Sequence, residues 1–261
     1  MCVNVRYRTI WISDVHLGTR QCDADALLSF LERHDAEYVY LVGDVIDFWS
    51  LREQPYWPQS HSDVLRSVLS KARAGSLVTV IPGNHDEYLR RFDDLELGKI
   101  IVTREAVHRT ADGRLLLILH GDDFDGVTRC HRLTVWLGAM GCAVLLHLNR
   151  WFNRGRQRLG FGYWSLSSYL KDRVKPVVEF VAAFERAVAQ EAARRGLDGV
   201  VCGHIHRPAL HEIGPMLYAN CGDWVENCTA VVEHFDGRLE LLPPQAASLA
   251  TSIASAMAMP R

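Results

Sequence analysis

The chain has few of the features that would place it outside the ordinary globular class. Its seven cysteines (Cys2, Cys22, Cys130, Cys142, Cys202, Cys221, Cys228) are odd in number and scattered, and no CxxC pair occurs. Neither a disulfide framework nor a structural zinc knuckle is therefore indicated. No apolar run approaches the roughly 18 residues a membrane-spanning helix requires. The opening MCVNVRYRTIWISD lacks an uninterrupted apolar core and a cleavage pattern, so a secretory leader is not expected. With no such leader, the sequon Asn227-Cys228-Thr229 reads as chance, and a cytoplasmic protein with reduced thiols is expected. Low-complexity tracts and internal repeats are also missing.

One absence is local. Between Val127 and Lys175 there is a single acidic residue, Asp172, against nine Lys and Arg; the remainder carries twenty basic and thirty acidic side chains. The overall net charge of −2 conceals this asymmetry. A basic segment on an acidic body points to an anionic partner, or to a solvated helix face. No recognised nucleic-acid-binding motif accompanies it, so nucleic acid is not expected.

What is present is a 261-residue chain, 48% hydrophobic and 23% charged. That is enough for one well-buried α/β domain with an insertion. Thr9–Ser13, Tyr38–Val42 and Leu77–Ile81 read as buried strands. Asp23–His34 and Asp63–Ala74 read as the helices between them, the second stopped by Gly75. This rhythm predicts right-handed crossovers and a parallel sheet. Hairpin-like strands follow near Glu105–Arg109 and Arg114–His120, with Asp112-Gly113 as a two-residue turn. Asp172–Arg195 has the strongest helical stripe, and Gly199–Cys202, Met216–Asn220, Thr229–His234 and Arg238–Leu242 read as further strands, with Asp236-Gly237 as a turn. The expected division is a core of 1–121 and 171–243, a helical insertion over 122–170, and a poorly ordered tail over 244–261.

Five short motifs stand where apolar strands end: Asp14-Val-His16, Gly43-Asp44-Val-Ile-Asp47, Gly83-Asn84-His85-Asp86, His120-Gly121-Asp122 and Gly203-His204-Ile-His206. In an open α/β sheet, ligands bind beyond the carboxyl ends of the strands, so these motifs should converge. Asp44 or Asn84 alone could be a helix cap, but capping does not account for His120, His204 and His206. Two divalent ions held close together can clamp a phosphoryl group, and a bridging carboxylate with neutral imidazoles suits that purpose. Mixed nitrogen and oxygen donors favour Mn²⁺, Fe or Zn²⁺ over Mg²⁺ or Ca²⁺.

From about Ile10 to Leu242, these motifs in this order resemble the calcineurin-like metallophosphoesterases, whose fold is an αββα sandwich. The resemblance implies that Asp14, His16 and His206 hold a first metal, Asp44 bridges, and Asn84, His120 and His204 hold a second. It also implies that His85 protonates or stabilises the leaving oxygen, that Asp86 orients the His85 ring, and that Asp47 supports without ligating. Bound ions would lower the pKa of water to supply the nucleophile near neutral pH.

Within that superfamily, three features are similar to the UDP-2,3-diacylglucosamine diphosphatases of lipid A biosynthesis. They are the opening IxxSDVHLG, the closing GHIHRPAL followed by CGDW, and a basic helical insertion directly after His120-Gly121-Asp122. That likeness implies a lid holding acyl chains, an acylated nucleotide-linked substrate and peripheral contact with the inner membrane surface. The apolar residues Leu133, Leu137, Met140, Val144 and Leu148 recur at helical spacing there, followed by Arg150, Arg154, Arg156 and Arg158. Asp122, Arg154, Arg158, Tyr163 and Trp164 are the expected substrate contacts, and Asp223 or Trp224 is a further candidate. One departure is clear: where that family carries Arg, this chain has His85, the more general phosphodiesterase motif. Two other readings stay open. One is cleavage of a different nucleotide or nucleotide-linked lipid. The other is a metal-free scaffold, which would have lost ligands that this chain retains.

Overall fold

The computed structural model describes residues 5–125 and 166–242. The expected acyl-lid stripe, with most of the insertion, and the 244–261 tail lie outside those residues. The chain forms two compact units, one from Met1–Asp122 with Ala192–Arg261 and one from Asp123–Glu191.

The first unit contains two sheets. The larger is built from β1 (Val5–Ile12), β2 (His34–Val42), β3 (Leu77–Ile81), β4 (Leu95–Leu97), β5 (Ile100–Val102), β11 (Ala230–Glu233) and β12 (Leu239–Leu242). Its order is β12-β11-β1-β2-β3-β5-β4, with β1, β2, β3 and β5 parallel. The smaller comprises β6 (Ala106–Arg109), β7 (Leu115–Ile118), β8 (Gly199–Cys202), β9 (Ala209–Ile213) and β10 (Met216–Asn220). Here β7, β8 and β10 run parallel between antiparallel edges β6 and β9.

Side-chain alternation along the strands assigns the layers. Ile10 and Ile12 of β1 and Val39 and Leu41 of β2 face the helices α1 (Ala24–Arg33) and α3 (Gln59–Ala74), meeting Leu27, Leu31, Val64 and Val68. Trp11, Tyr40 and Val42 face the other way and pack on Leu116, Ile118, Val201 and Ala219 of the smaller sheet. Helix, sheet and sheet are thus stacked in the first unit. A further helix, α4 (Leu166–Arg194), lies mostly in the second unit and begins at Leu166 rather than at Asp172.

Local chemistry explains the helix ends. The Asp23 carboxylate caps α1 by accepting from the Ala26 N–H at 3.0 Å. Gly75, at φ 114°, closes α3 in the left-handed region that a residue with a Cβ enters at a cost. The Asp-Gly turns are longer than expected. Thr110 donates to the Arg114 carbonyl and His234 to the Arg238 carbonyl, so each hairpin loop has three residues and ends in a positive-φ glycine.

Between the sheets lies a buried polar cluster. Glu233, fully buried, accepts from Arg8, from the Thr9 hydroxyl at 2.6 Å and from the Ala111 N–H at 2.7 Å. His108 Nε2 stands 2.9 Å from Glu233 Oε2, and its Nδ1 is 3.1 Å from the Tyr40 hydroxyl. Burial alone would raise the Glu233 pKa, but these donors outweigh it and hold the carboxyl below its usual range.

Candidate metal centre

Six parallel strands, three from each sheet, deliver the site. β1 leads to Asp14 and His16, β2 to Asp44 and Asp47, and β3 to Asn84, His85 and Asp86. β7 leads to His120, β8 to His204 and His206, and β10 to Asp223. The loops are tied to one another through the backbone. Asp14 N–H donates to the Gly43 carbonyl, His16 N–H to that of Asp44 and Trp224 N–H to that of Asp14.

These loops are strained where the chemistry sits. Among the described residues, seven non-glycine positions have positive φ, and five of them are Asp14, His16, Asp44, His204 and His206. Such conformations cost about 1–3 kcal/mol each and persist only where the surroundings impose them. The glycines before the ligands are equally constrained. A Cβ on Gly43 would sit 2.0 Å from His120 Nδ1, and one on Gly83 2.3 Å from Asp44 Oδ1.

Each carboxylate uses one oxygen on the backbone and presents the other. Asp44 Oδ1 accepts from the His85 N–H at 2.8 Å, leaving Oδ2 3.4 Å from His120 Nε2 and 3.9 Å from His16 Nε2. Asp14 Oδ2 accepts from the His204 N–H at 2.9 Å, leaving Oδ1 3.3 Å from His206 Nε2. The imidazoles show a matching pattern. His16 Nδ1 is 3.1 Å from Asp47, His120 Nδ1 is 3.0 Å from the Val42 carbonyl, and both Nε2 atoms point inward. The His16 and His206 rings stack at 5.2 Å, and the His120 and His204 rings meet at 5.1 Å.

Of the buried side-chain atoms without hydrogen-bond partners among the described residues, four belong to expected ligands: Asp14 Oδ1, His16 Nε2, Asn84 Oδ1 and His120 Nε2. An unsatisfied buried polar atom ordinarily costs about 1–3 kcal/mol. All four are on expected ligands, and those of Asp14, His16 and His120 belong to clusters able to hold a cation. Donor atoms of Asp14, His16 and His206 lie within 4.8 Å of one another, as do those of Asp14, Asp44 and His120. The nitrogen and oxygen donors fit a pair of divalent ions.

The electrostatics agree. Burial would lower the His120 pKa, but Asp44 beside it drives the ring in the opposite direction, well above its ordinary range. His16 is likewise raised despite burial, by Asp47, Asp14 and Asp44. Burial would raise the Asp44 and Asp47 carboxyls, yet neighbouring imidazoles bring both well below the usual range. The cleft attracts positive charge, which protons or metal ions can supply.

The expected roles of two acidic residues change. Asp86 does not orient the His85 ring. Fully buried, it accepts from the Gly83 N–H at 2.6 Å and from Val45 at 2.8 Å, with longer contacts from Asp44 and Ile46, and so staples the β3 loop to the β2 loop. The carboxylate beside His85 is Asp47, with Oδ2 2.9 Å from His85 Nδ1 and 3.1 Å from His16 Nδ1. Its Oδ1 caps α2 (Phe48–Glu53) through the Ser50 N–H at 2.7 Å. Asp122 is met by Arg90, whose Nη2 donates to both carboxylate oxygens at 2.8 and 2.7 Å, so it serves an ion pair. Trp224 is buried against Phe30, away from any open surface. The remaining expected substrate contacts, Arg154, Arg158, Tyr163 and Trp164, lie outside the described residues.

One neighbour was missed from the sequence. Trp49, half exposed on α2, lies with its ring 4.3 Å from that of His85. Its place in the first turn of a helix capped by Asp47 was the available signal.

Comparison with known proteins places these features in context. The calcineurin-like phosphoesterase family matches residues 7–208. A UDP-2,3-diacylglucosamine hydrolase of Salmonella agona (strain SL483) is 27% identical over 214 residues, covering 78% of this chain and 84% of that protein. The protein of the same name from Photorhabdus laumondii subsp. laumondii is also 27% identical, with the same coverage. Among solved structures, Yfce, a phosphoesterase from E. coli, shares 13% identity over 91% of this chain and 99% of its own, at a TM-score of 0.41.

Proposed function

This chain belongs to the calcineurin-like phosphoesterase family, and we propose that it hydrolyses the pyrophosphate of UDP-2,3-diacylglucosamine to UMP and the acylated sugar 1-phosphate. The observation that carries the reaction class is that donor atoms of Asp14, His16 and His206, and of Asp14, Asp44 and His120, cluster within 4.8 Å, with Asp14 Oδ1, His16 Nε2 and His120 Nε2 buried and without hydrogen-bond partners. Asp14, His16 and His206 would hold one ion, Asn84, His120 and His204 a second, and Asp44 would lie between. Mn²⁺ is the ion we favour for this donor set. Bound there, the ions would polarise the phosphoryl oxygens and make water acidic enough to attack.

The chain's own residues do the rest. His85, a quarter exposed beside Asp47, would give a proton to the departing oxygen. Asp47 Oδ2, 2.9 Å from its Nδ1, would fix the orientation of the ring. Asp86 and the glycines fix the loops so that little reorganisation accompanies the reaction.

The substrate reading rests on the relatives' name and on the apolar and basic insertion between 122 and 170. No described helix is long and apolar enough to cross a membrane. His85, which gives the more general phosphodiesterase motif, supports a second reading: a phosphodiesterase or pyrophosphatase acting on another nucleotide.

Comparing kcat/KM for diacylated and deacylated forms of the same UDP-sugar separates the two. Each buried methylene contributes about 0.8 kcal/mol, so an acyl-binding lid should favour the lipid form by several orders of magnitude. Equal rates would mean a water-soluble substrate.

A further inference from the structure

We propose that Asp223 is a positioning residue: it fixes the ring of His206 and thereby sets how tightly the ion on that side of the cleft is held. The inference rests on the two-metal reading and goes beyond it, since Asp223 lies outside all five ligand motifs.

Three observations support it. Asp223 is almost completely buried, yet one of its oxygens is turned toward the site. Oδ1 accepts from the backbone N–H groups of Val225 at 2.8 Å, Glu226 at 2.6 Å and Asn227 at 3.1 Å. Oδ2 takes the Asn227 amide and stands 3.7 Å from His206 Nδ1.

The Asn227 amide also donates to the His206 carbonyl at 3.1 Å, so the same pair grips the backbone of the ligand and faces its ring.

The third observation is the contrast among the imidazoles. His16 and His120 are enclosed, with side chains 9% and 1% exposed, and each has an acceptor close to Nδ1. The His206 side chain is 40% exposed, and the described partner of its Nδ1 is Asp223. Packing therefore restrains this ring less than those of His16 and His120, and its orientation depends more on a charge behind it. A carboxylate behind a ligating histidine selects the tautomer with hydrogen on the rear nitrogen and leaves Nε2 as the donor. His206 Nε2 does face the cleft, 3.3 Å from Asp14 Oδ1.

The loop carrying Asp223 is itself anchored to Asp14, another ligand assigned to the same ion. Trp224 N–H donates to the Asp14 carbonyl at 3.0 Å, and the Ser13 hydroxyl to the Gly222 carbonyl at 3.0 Å. Movement of this loop would disturb Asp14 and His206 together.

The test is Mn²⁺ binding to the full chain by calorimetry against a competing chelator. Asp223→Asn keeps an oxygen for the three backbone donors but removes the charge facing His206. One of the two binding steps should weaken about 10–100-fold, the usual effect of losing such a partner, with the other unchanged. A double-mutant cycle separates this role from a purely structural one. If Asp223 acts through His206, then adding Asp223→Asn to His206→Ala should weaken binding no further. Unchanged affinities in Asp223→Asn, or losses that simply add in the double variant, would overturn the proposal. Wild-type protein that binds fewer than two ions would instead overturn the two-metal reading, before any variant is compared.

Discussion

Substituting Asp47→Asn isolates the most consequential pairing in the cleft. The Asp47 side chain is buried, and its two oxygens have separate tasks. Oδ1 caps α2, and an asparagine oxygen can take over that role, since Asn and Asp are equivalent caps. Oδ2 faces His85 at 2.9 Å and His16 at 3.1 Å, where an amide nitrogen cannot accept. The fold should therefore survive while both imidazoles lose their carboxylate. Through His16, metal affinity should fall about 10–100-fold, a loss that excess Mn²⁺ offsets. Through His85, the loss remains at saturating metal. General acid catalysis is worth about 10²–10⁴ in rate, or about 2.7–5.4 kcal/mol at 1.36 kcal/mol per decade. The assay is kcat at saturating Mn²⁺ for an alkyl phosphodiester and for a p-nitrophenyl diester, whose leaving group needs no proton. The alkyl ester should lose most of that factor and the p-nitrophenyl ester far less. Equal losses, or a kcat close to wild type for both, would refute the assignment of Asp47 and His85 as a working pair.

Three further outcomes follow. His85→Ala should retain both metals, shown by elemental analysis, while its alkyl-diester rate falls about 10²–10⁴-fold. Gly43→Ala should give protein poor in metal and lower in Tm, because the added methyl would overlap His120 and Gly43 sits at φ 82°; unchanged metal content would refute the packing argument. Glu233→Gln should cost about 3–5 kcal/mol near neutral pH, since it strips a buried charge from Arg8 and His108. Because the folded carboxyl lies below its unfolded value, its stabilisation is present above about pH 4.3 and is lost as pH falls through the folded value. Denaturant midpoints for the two proteins should thus converge in acid, and a gap that widened there would contradict the sign.

The ligands were legible because parallel strands ending in Asp and His need no knowledge of loop geometry to be placed on one side of a sheet. Aiming was not legible. Asp47 and Asp86 are each acidic residues three or fewer positions from a ligand, and the chain path of the two loops decides which one meets His85. Short elements also escaped notice. β4, β5 and α2 have three, three and six residues, too few for a periodicity to show. β9 escaped too, since Ala209–Ile213 shows no apolar alternation beside the last ligand motif. The Glu233 cluster joins residues more than a hundred positions apart, and His108 gave no local sign of belonging to it. Asp223 was visible as part of a Gly-Asp-Trp run following a strand, though its partner was not.

The most direct test of the account is the metal content and diesterase activity of Asp44→Asn beside wild type. Asn tolerates the positive φ of position 44, so the backbone should hold while the charge between His120 and His16 is lost. Wild-type protein purified without chelator should carry close to two transition-metal ions per chain, and the variant should lose both occupancy and turnover of a p-nitrophenyl phosphodiester by orders of magnitude. A folded Asp44→Asn protein that turns over at a near-normal rate would contradict the assignment of this cleft as a two-metal phosphoesterase centre.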